Sequence, residues 1–195
     1  MISDVIWSTW DDTGYEQVRI DDGHPGWTVF DSMFVRVDDG AVRRGGYTLI
    51  CDKAWRTLEI RLMVEQAPGS MSARHLLATG DGRWTDADGV HLPALDGCVD
   101  IDIAWTPLTN TLPIRRLALQ PGQEETIRVV YLPLPSLEIG VWEQRYTGLE
   151  PGAVRYESLA SDFRRDLTVD SEGFVIDYPG LFRRRWPLAD RDVTS

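Results

Sequence analysis

The sequence predicts an all-β protein: a large twisted antiparallel sheet curled into a half or full barrel, with little helix. Three observations carry this expectation. Apolar and polar residues alternate with a period of two along almost the whole chain. The alternating runs are short and separated by Gly, Pro, Asp and Asn clusters suited to tight turns. No composition shift or fixed-period repeat divides the 195 residues, so the strands are expected to form a single barrel-like domain over 1–195. Curling such a sheet also reduces the hazard of exposed strand edges.

Short strands are expected around Ile6 and Val18. Longer ones follow at Trp27 to Asp38, Val42 to Asp52, Ala54 to Glu65 and Met71 to Thr79, with turns at Asp39-Gly40 and Asp52-Lys53. Gly80 to Asp96 reads as a hairpin turning at Asp81-Gly82, because Trp84, Val90 and Leu92 punctuate it too evenly for a linker. Strands resume at Cys98 to Ala104, Pro113 to Leu119, Thr126 to Leu134 and Glu138 to Tyr146, with a turn at Gly122. Near the C terminus, Leu167 and Val169, then Phe174, Ile176 and Tyr178, alternate about Asp170-Ser171-Glu172-Gly173 and predict a further hairpin. Leu159, Phe163 and Leu167 also recur every four residues, as in a helix, but strand is the reading adopted there.

Lys and Arg total 20 against 31 Asp and Glu, a net charge of -11, which is the wrong sign for a phosphate-binding surface. Nucleic acid and anionic membranes are therefore not expected partners. There is no apolar run near ~18 residues and no basic-then-apolar leader, so no transmembrane segment and a cytoplasmic location are expected. Cys51 and Cys98 lie in strand-like runs without metal-ligand spacing and are expected as buried thiols. His24, His75 and His91 lack ligand-spaced neighbours, and nucleotide-loop and serine-hydrolase motifs are absent. No cofactor and no metal are expected.

Strand faces carry the functional signal. From Trp55 to Val64, Leu58, Ile60, Leu62 and Val64 share one face, while Trp55, Thr57, Glu59, Arg61 and Met63 share the other. In Glu138 to Tyr146, Ile139 and Val141 oppose Trp142, Gln144 and Tyr146. With eight Trp in the chain, such mixed faces suit stacking on a sugar ring or covering an acyl chain, where burial contributes ~0.8 kcal/mol per CH₂. The competing reading is an ordinary half-buried surface of cross-strand pairs.

Val99, Ile101 and Ile103 form an apolar row that places Asp100 and Asp102 together on the opposite face, about 7 Å apart. If Pro113 to Leu119 returns antiparallel beside them, Arg116 falls opposite Asp102, predicting a contact between the two, with Thr109-Asn110-Thr111 as a polar loop tip. The cluster reads as a binding site for hydroxyl groups. The enzymatic alternative makes Asp100 or Asp102 a general base and Arg116 a charge stabiliser. The two Asp side chains point in parallel rather than across a scissile bond, which argues against glycoside hydrolysis.

Cys98-Val99-Asp100-Ile101-Asp102 followed by Thr109-Asn110-Thr111-Leu112-Pro113-Ile114-Arg115-Arg116-Leu117 resembles the bacterial family named "putative glycolipid-binding". Tyr47 through Cys51-Asp52 to Trp55-Arg56, and Asp177-Tyr178-Pro179-Gly180-Leu181-Phe182, resemble two further motifs of that family. The resemblance implies a barrel-like sheet similar in shape to periplasmic lipoprotein carriers. It also implies a glycolipid ligand, and together with the aromatic strand faces it leads to the expectation of an amphipathic partner, a lipid or glycolipid, held without catalysis on the concave sheet face. Matched by position, it offers Asp52, Trp55, Arg56, Asp100, Asp102, Thr109, Asn110 and Arg116 as the ligand-binding residues.

Overall fold

The computed structural model describes residues 2–188. Its strands are β1 (Ile2–Thr9), β2 (Gly14–Asp21), β3 (Trp27–Asp38), β4 (Ala41–Asp52), β5 (Thr57–Ala67), β6 (Ser70–Ala78), β7 (Trp84–Asp86), β8 (Asp100–Ile103), β9 (Glu124–Leu132), β10 (Gly140–Gly148), β11 (Ala153–Ser158), β12 (Arg164–Val169), β13 (Val175–Tyr178) and β14 (Phe182–Trp186). A helix, α1 (Leu108–Leu117), lies between β8 and β9. All fourteen strands join one curled sheet in the order β7-β6-β5-β4-β3-β2-β1-β14-β13-β12-β11-β10-β9-β8. The sheet is all-β architecture as expected, but it is open, with β7 and β8 as its edges. At the seam, β1 pairs antiparallel with β14 and brings the two ends of the sheet-forming chain together.

Local chemistry accounts for much of this. Asp39 and Gly40 adopt φ of 47° and 72°, as a two-residue hairpin turn requires, and set the Val37–Val42 register of β3 and β4. Along β5, Ile60, Leu62 and Val64 are buried while Arg61 and Met63 face solvent, the division that alternation predicts. Two apolar cores result. The larger gathers Trp7, Phe30, Leu49 and Ile60 with Ile101 and Ile103 of β8 and Leu108 and Leu112 of α1. The smaller gathers Tyr146, Tyr156, Leu167, Val175, Tyr178 and Phe182. Alternation along β8 sends Ile101 and Ile103 into the larger core and turns Asp100 and Asp102 to its other side.

The expected strand from Pro113 to Leu119 is instead the second half of α1. Leu108 and Leu112, four residues apart, share a helical face and are fully buried. Their burial offsets the lost donor at Pro113, which costs a helix interior ~3 kcal/mol. Ala118, at φ 47°, ends the helix by donating its N–H to Ile114 O. β8 consequently pairs with β9, and in parallel, not antiparallel with residues 113–119. Parallel neighbours need a long crossover, and α1 supplies it. Other strand limits move by a few residues as well. β5 begins at Thr57 rather than Ala54, β7 is the only strand between Gly80 and Asp96, and Leu159 lies in the turn between β11 and β12. Cys51 and Cys98 are buried free thiols, and burial pushes the Cys51 thiol up to about 12.

Candidate functional site

The β8 and β9–β14 side of the sheet encloses a cavity of about 250 Å³. Its wall combines the aromatic side chains of Tyr131, Trp142, Tyr156, Phe163 and Tyr178 with the polar groups of Asp102, Thr106, Asn110, Ser158 and Ser161. Register explains the aromatic wall. Tyr131 faces Gly140 across β9 and β10, so the indole of Trp142, two residues on, leans over the phenol unobstructed; the rings stack at 3.8 Å and 20°. Tyr146 and Tyr156 are direct cross-strand partners meeting edge to face at 5.5 Å, and Tyr156 meets Tyr178 the same way at 6.1 Å.

Asp102 supplies the charge. Its Oδ2 accepts from Gln144 Nε2 at 2.6 Å and its Oδ1 from Thr109 Oγ1 at 3.3 Å. The Tyr146 hydroxyl donates to Gln144 Oε1 at 3.3 Å and accepts from Asn110 Nδ2 at 2.9 Å. This network joins β8, β10 and the first turn of α1. Burial raises the Asp102 carboxyl to about 6 against the opposing pull of the Gln144 and Thr109 hydrogen bonds.

Thr109, Asn110 and Thr111 are therefore not an exposed loop tip: all three are buried in the first turn of α1. The expected contact between Asp102 and Arg116 is also replaced. Arg116 pairs with Asp100, Nη2 to Oδ2 at 2.5 Å and Nε to Oδ1 at 3.2 Å, because helical geometry carries it back to the start of β8. Burial raises the Asp100 carboxyl while Arg116 opposes the rise. Of the two carboxylates that the enzymatic reading offers as general base, Asp102 lines the cavity without Arg116, and Asp100 pairs with Arg116 away from the cavity wall.

Asp52, Trp55 and Arg56 form a separate unit at the β4–β5 turn. Asp52 Oδ1 accepts the N–H groups of Ala54 and Arg56, each at 2.9 Å, and Oδ2 pairs with Arg56 Nη2 at 2.7 Å. The turn holds Trp55 at φ 64°, a conformation unusual for a bulky residue, with Arg115 of α1 packed 4.0 Å over its ring. These residues fasten the turn to the helix and are not part of the cavity wall.

Of the eight sequence-derived candidates, Asp102 and Asn110 line the cavity and Thr109 touches Asp102. The shared face of Trp142, Gln144 and Tyr146 was legible from alternation. Tyr131, Tyr156, Phe163 and Tyr178 were not, since only strand order brings them together. A larger depression of about 850 Å³ lies on the outer face of β3–β6, around Met33, Met63 and Met71. Its flanking cations are engaged, Arg44 by Glu65 and Arg61 by Glu59, so it offers less directional chemistry than the cavity. The described residues contain no cluster of three or more His, Cys, Asp or Glu able to hold a metal ion, and no helix among them is long and apolar enough to cross a membrane.

The fold has a solved counterpart. The crystal structure of a DUF1089 family protein from Pseudomonas aeruginosa is 42% identical and superimposes with a TM-score of 0.81, over 88% of this chain and 92% of that one. No curated protein matches. The chain belongs to the family described as "Putative glycolipid-binding", whose model matches residues 4–184.

Proposed function

We propose that the protein binds an amphipathic small molecule without converting it, and that the hydroxylated head group of that molecule occupies the Asp102 cavity on the inner side of the sheet. The observation that carries this reading is a half-buried carboxylate, that of Asp102, linked through Gln144 and Tyr146 to Asn110, within a wall of aromatic rings. Aromatic faces pack on the C–H faces of a sugar ring, while a carboxylate and an amide orient its hydroxyls. The family description supports a glycolipid as the ligand class. At about 250 Å³ the cavity suits a head group rather than a whole lipid, so the acyl chain would leave through its mouth.

Titration with octyl glucoside below its micelle concentration tests this, with octanol and methyl glucoside as single-feature controls. Saturable quenching of tryptophan fluorescence that disappears in Trp142→Phe is expected, strongest for octyl glucoside. Absence of saturable binding by a panel of alkyl glycosides and glycolipids would overturn the reading.

A further inference from the structure

A second carboxyl, more deeply buried than that of Asp102, is wired to the same cavity. Glu16 of β2 shares the inward row with Val18 and Ile20 and is 4% exposed. Its Oε1 accepts from Ser32 Oγ at 2.7 Å and from the Tyr47 hydroxyl at 2.8 Å, whereas Oε2 has no hydrogen-bond partner among the described residues. The Tyr47 hydroxyl also lies 3.1 Å from Thr106 Oγ1. Thr106 Oγ1 accepts the Leu108 N–H at 3.0 Å, and Thr106 stands in the wall of the Asp102 cavity. Two hydroxyls thus connect Glu16 to the ligand site.

Each hydroxyl carries one proton, so the hydrogen bonds along Glu16, Tyr47 and Thr106 can all run toward Glu16 or all run away from it, with Ser32 Oγ as a further neighbour of Oε1. With Glu16 ionised, Tyr47 donates to Oε1 and Thr106 donates to Tyr47. Thr106 then has only a lone pair left for the cavity. With Glu16 neutral, the acid proton is best placed on Oε1, the oxygen that has a neighbour to receive it. Glu16 then donates to Tyr47 and Tyr47 to Thr106, which frees the Thr106 proton.

We propose that Glu16, acting through Tyr47, determines whether Thr106 presents a hydrogen-bond acceptor or a donor to the head group in the cavity. Glu16 is a positioning residue in this role, which rests on the cavity being the ligand site. Burial raises the Glu16 carboxyl to about 7, so both orientations are populated near neutrality. The titratable or charged groups about Glu16 are Tyr47 of β4, Arg36 of β3 and Tyr15 of β2, the last two on the wall of a void of about 10 Å³ that Glu16 also lines. β1, β14 and the connection after β8 present Trp7, Phe182 and Trp105 there, and Asp102 lies on the cavity side.

The Leu108 amide reports on Thr106 without any ligand. In ¹⁵N–¹H spectra of the full chain between about pH 5 and 9, its shift should follow the Glu16 carboxyl-carbon midpoint. That inflection should vanish in Glu16→Gln and in Tyr47→Phe, and persist at a moved midpoint in Ser32→Ala, which keeps the relay whole. No Leu108 inflection at the Glu16 midpoint in the unmodified chain, or an unchanged one in Tyr47→Phe, overturns the relay. Octyl glucoside affinity should change several-fold across the same range in the unmodified chain and lose that dependence in Tyr47→Phe. Binding with the same pH dependence in both proteins overturns the proposal alone. No binding at any pH, with the Leu108 response intact, overturns the cavity reading and the ligand role of Glu16 with it.

Discussion

Arg116 of α1 grips Asp100 of β8 through two hydrogen bonds and so ties the crossover helix to the strand that precedes it. The Asp100 side chain is 1% exposed and that of Arg116 21%. The pair holds in place the helix whose first turn delivers Thr109 and Asn110 to the Asp102 network.

Removing Arg116 strands a buried carboxylate. Arg116→Met should lower unfolding stability by about 3–5 kcal/mol in urea titration, the usual cost of an uncompensated buried charge. The double variant Asp100→Asn with Arg116→Met should recover a large part of that loss. A single variant as stable as the parent would show that the pair does not hold the helix.

Glu16 makes stability depend on pH in a defined direction. Its carboxyl rises from 4.5 to about 7 on folding, so the native state holds a proton that the unfolded state has released between those values. The stabilisation is complete below about pH 4.5 and is lost as pH rises through about 7, a total of roughly 3 kcal/mol. The difference in unfolding free energy between the parent and Glu16→Gln should therefore shrink over that interval, and a flat difference would contradict it. Asp102 should act in the same sense between its ordinary value of 3.8 and about 6, so Asp102→Asn should remove that part of the slope.

Trp142 should matter more to the ligand than to the fold. Losing its stack on Tyr131 should cost stability about 1 kcal/mol in Trp142→Ala. Octyl glucoside affinity, measured by calorimetry, should fall roughly tenfold or more, equivalent to about 1.4 kcal/mol. Equal affinity in the two proteins would remove the aromatic wall from the binding account.

Asp52 provides the opposite test. Asp52→Ala leaves the Ala54 and Arg56 N–H groups without their acceptor and should cost about 1–2 kcal/mol in thermal or urea unfolding. Octyl glucoside affinity should stay unchanged, because the β4–β5 turn is outside the cavity wall. A loss of affinity without a loss of stability would return Asp52, Trp55 and Arg56 to the ligand site.

Much of the sheet was legible because its causes are local. The buried row of Ile60, Leu62 and Val64 follows from the two-residue period of a strand. The Asp39-Gly40 hairpin follows from two residues that tolerate positive φ. Glu16 was legible in principle, as a carboxyl in the same row as Val18 and Ile20, although its partners Ser32 and Tyr47 depend on the pairing of β2 with β3 and β3 with β4. Residues 108–117 were ambiguous for a physical reason. Leu112 and Ile114 fit a period of two while Leu108 and Leu112 fit a helical face, and sequence alone does not say which set will be buried.

By itself, then, the sequence determined the all-β class, the turns, the faces of the longer strands and the placing of Asp100 and Asp102 on one side of theirs. Only the tertiary structure decided that Leu108 and Leu112 are buried as a helix, that β8 runs parallel to β9, and that Arg116 meets Asp100 rather than Asp102. It alone also gathered Tyr131, Trp142, Tyr156 and Tyr178 around Asp102. Alternation is a property of neighbours along the chain, whereas a cavity wall is assembled across strands whose order and register depend on how the entire sheet curls.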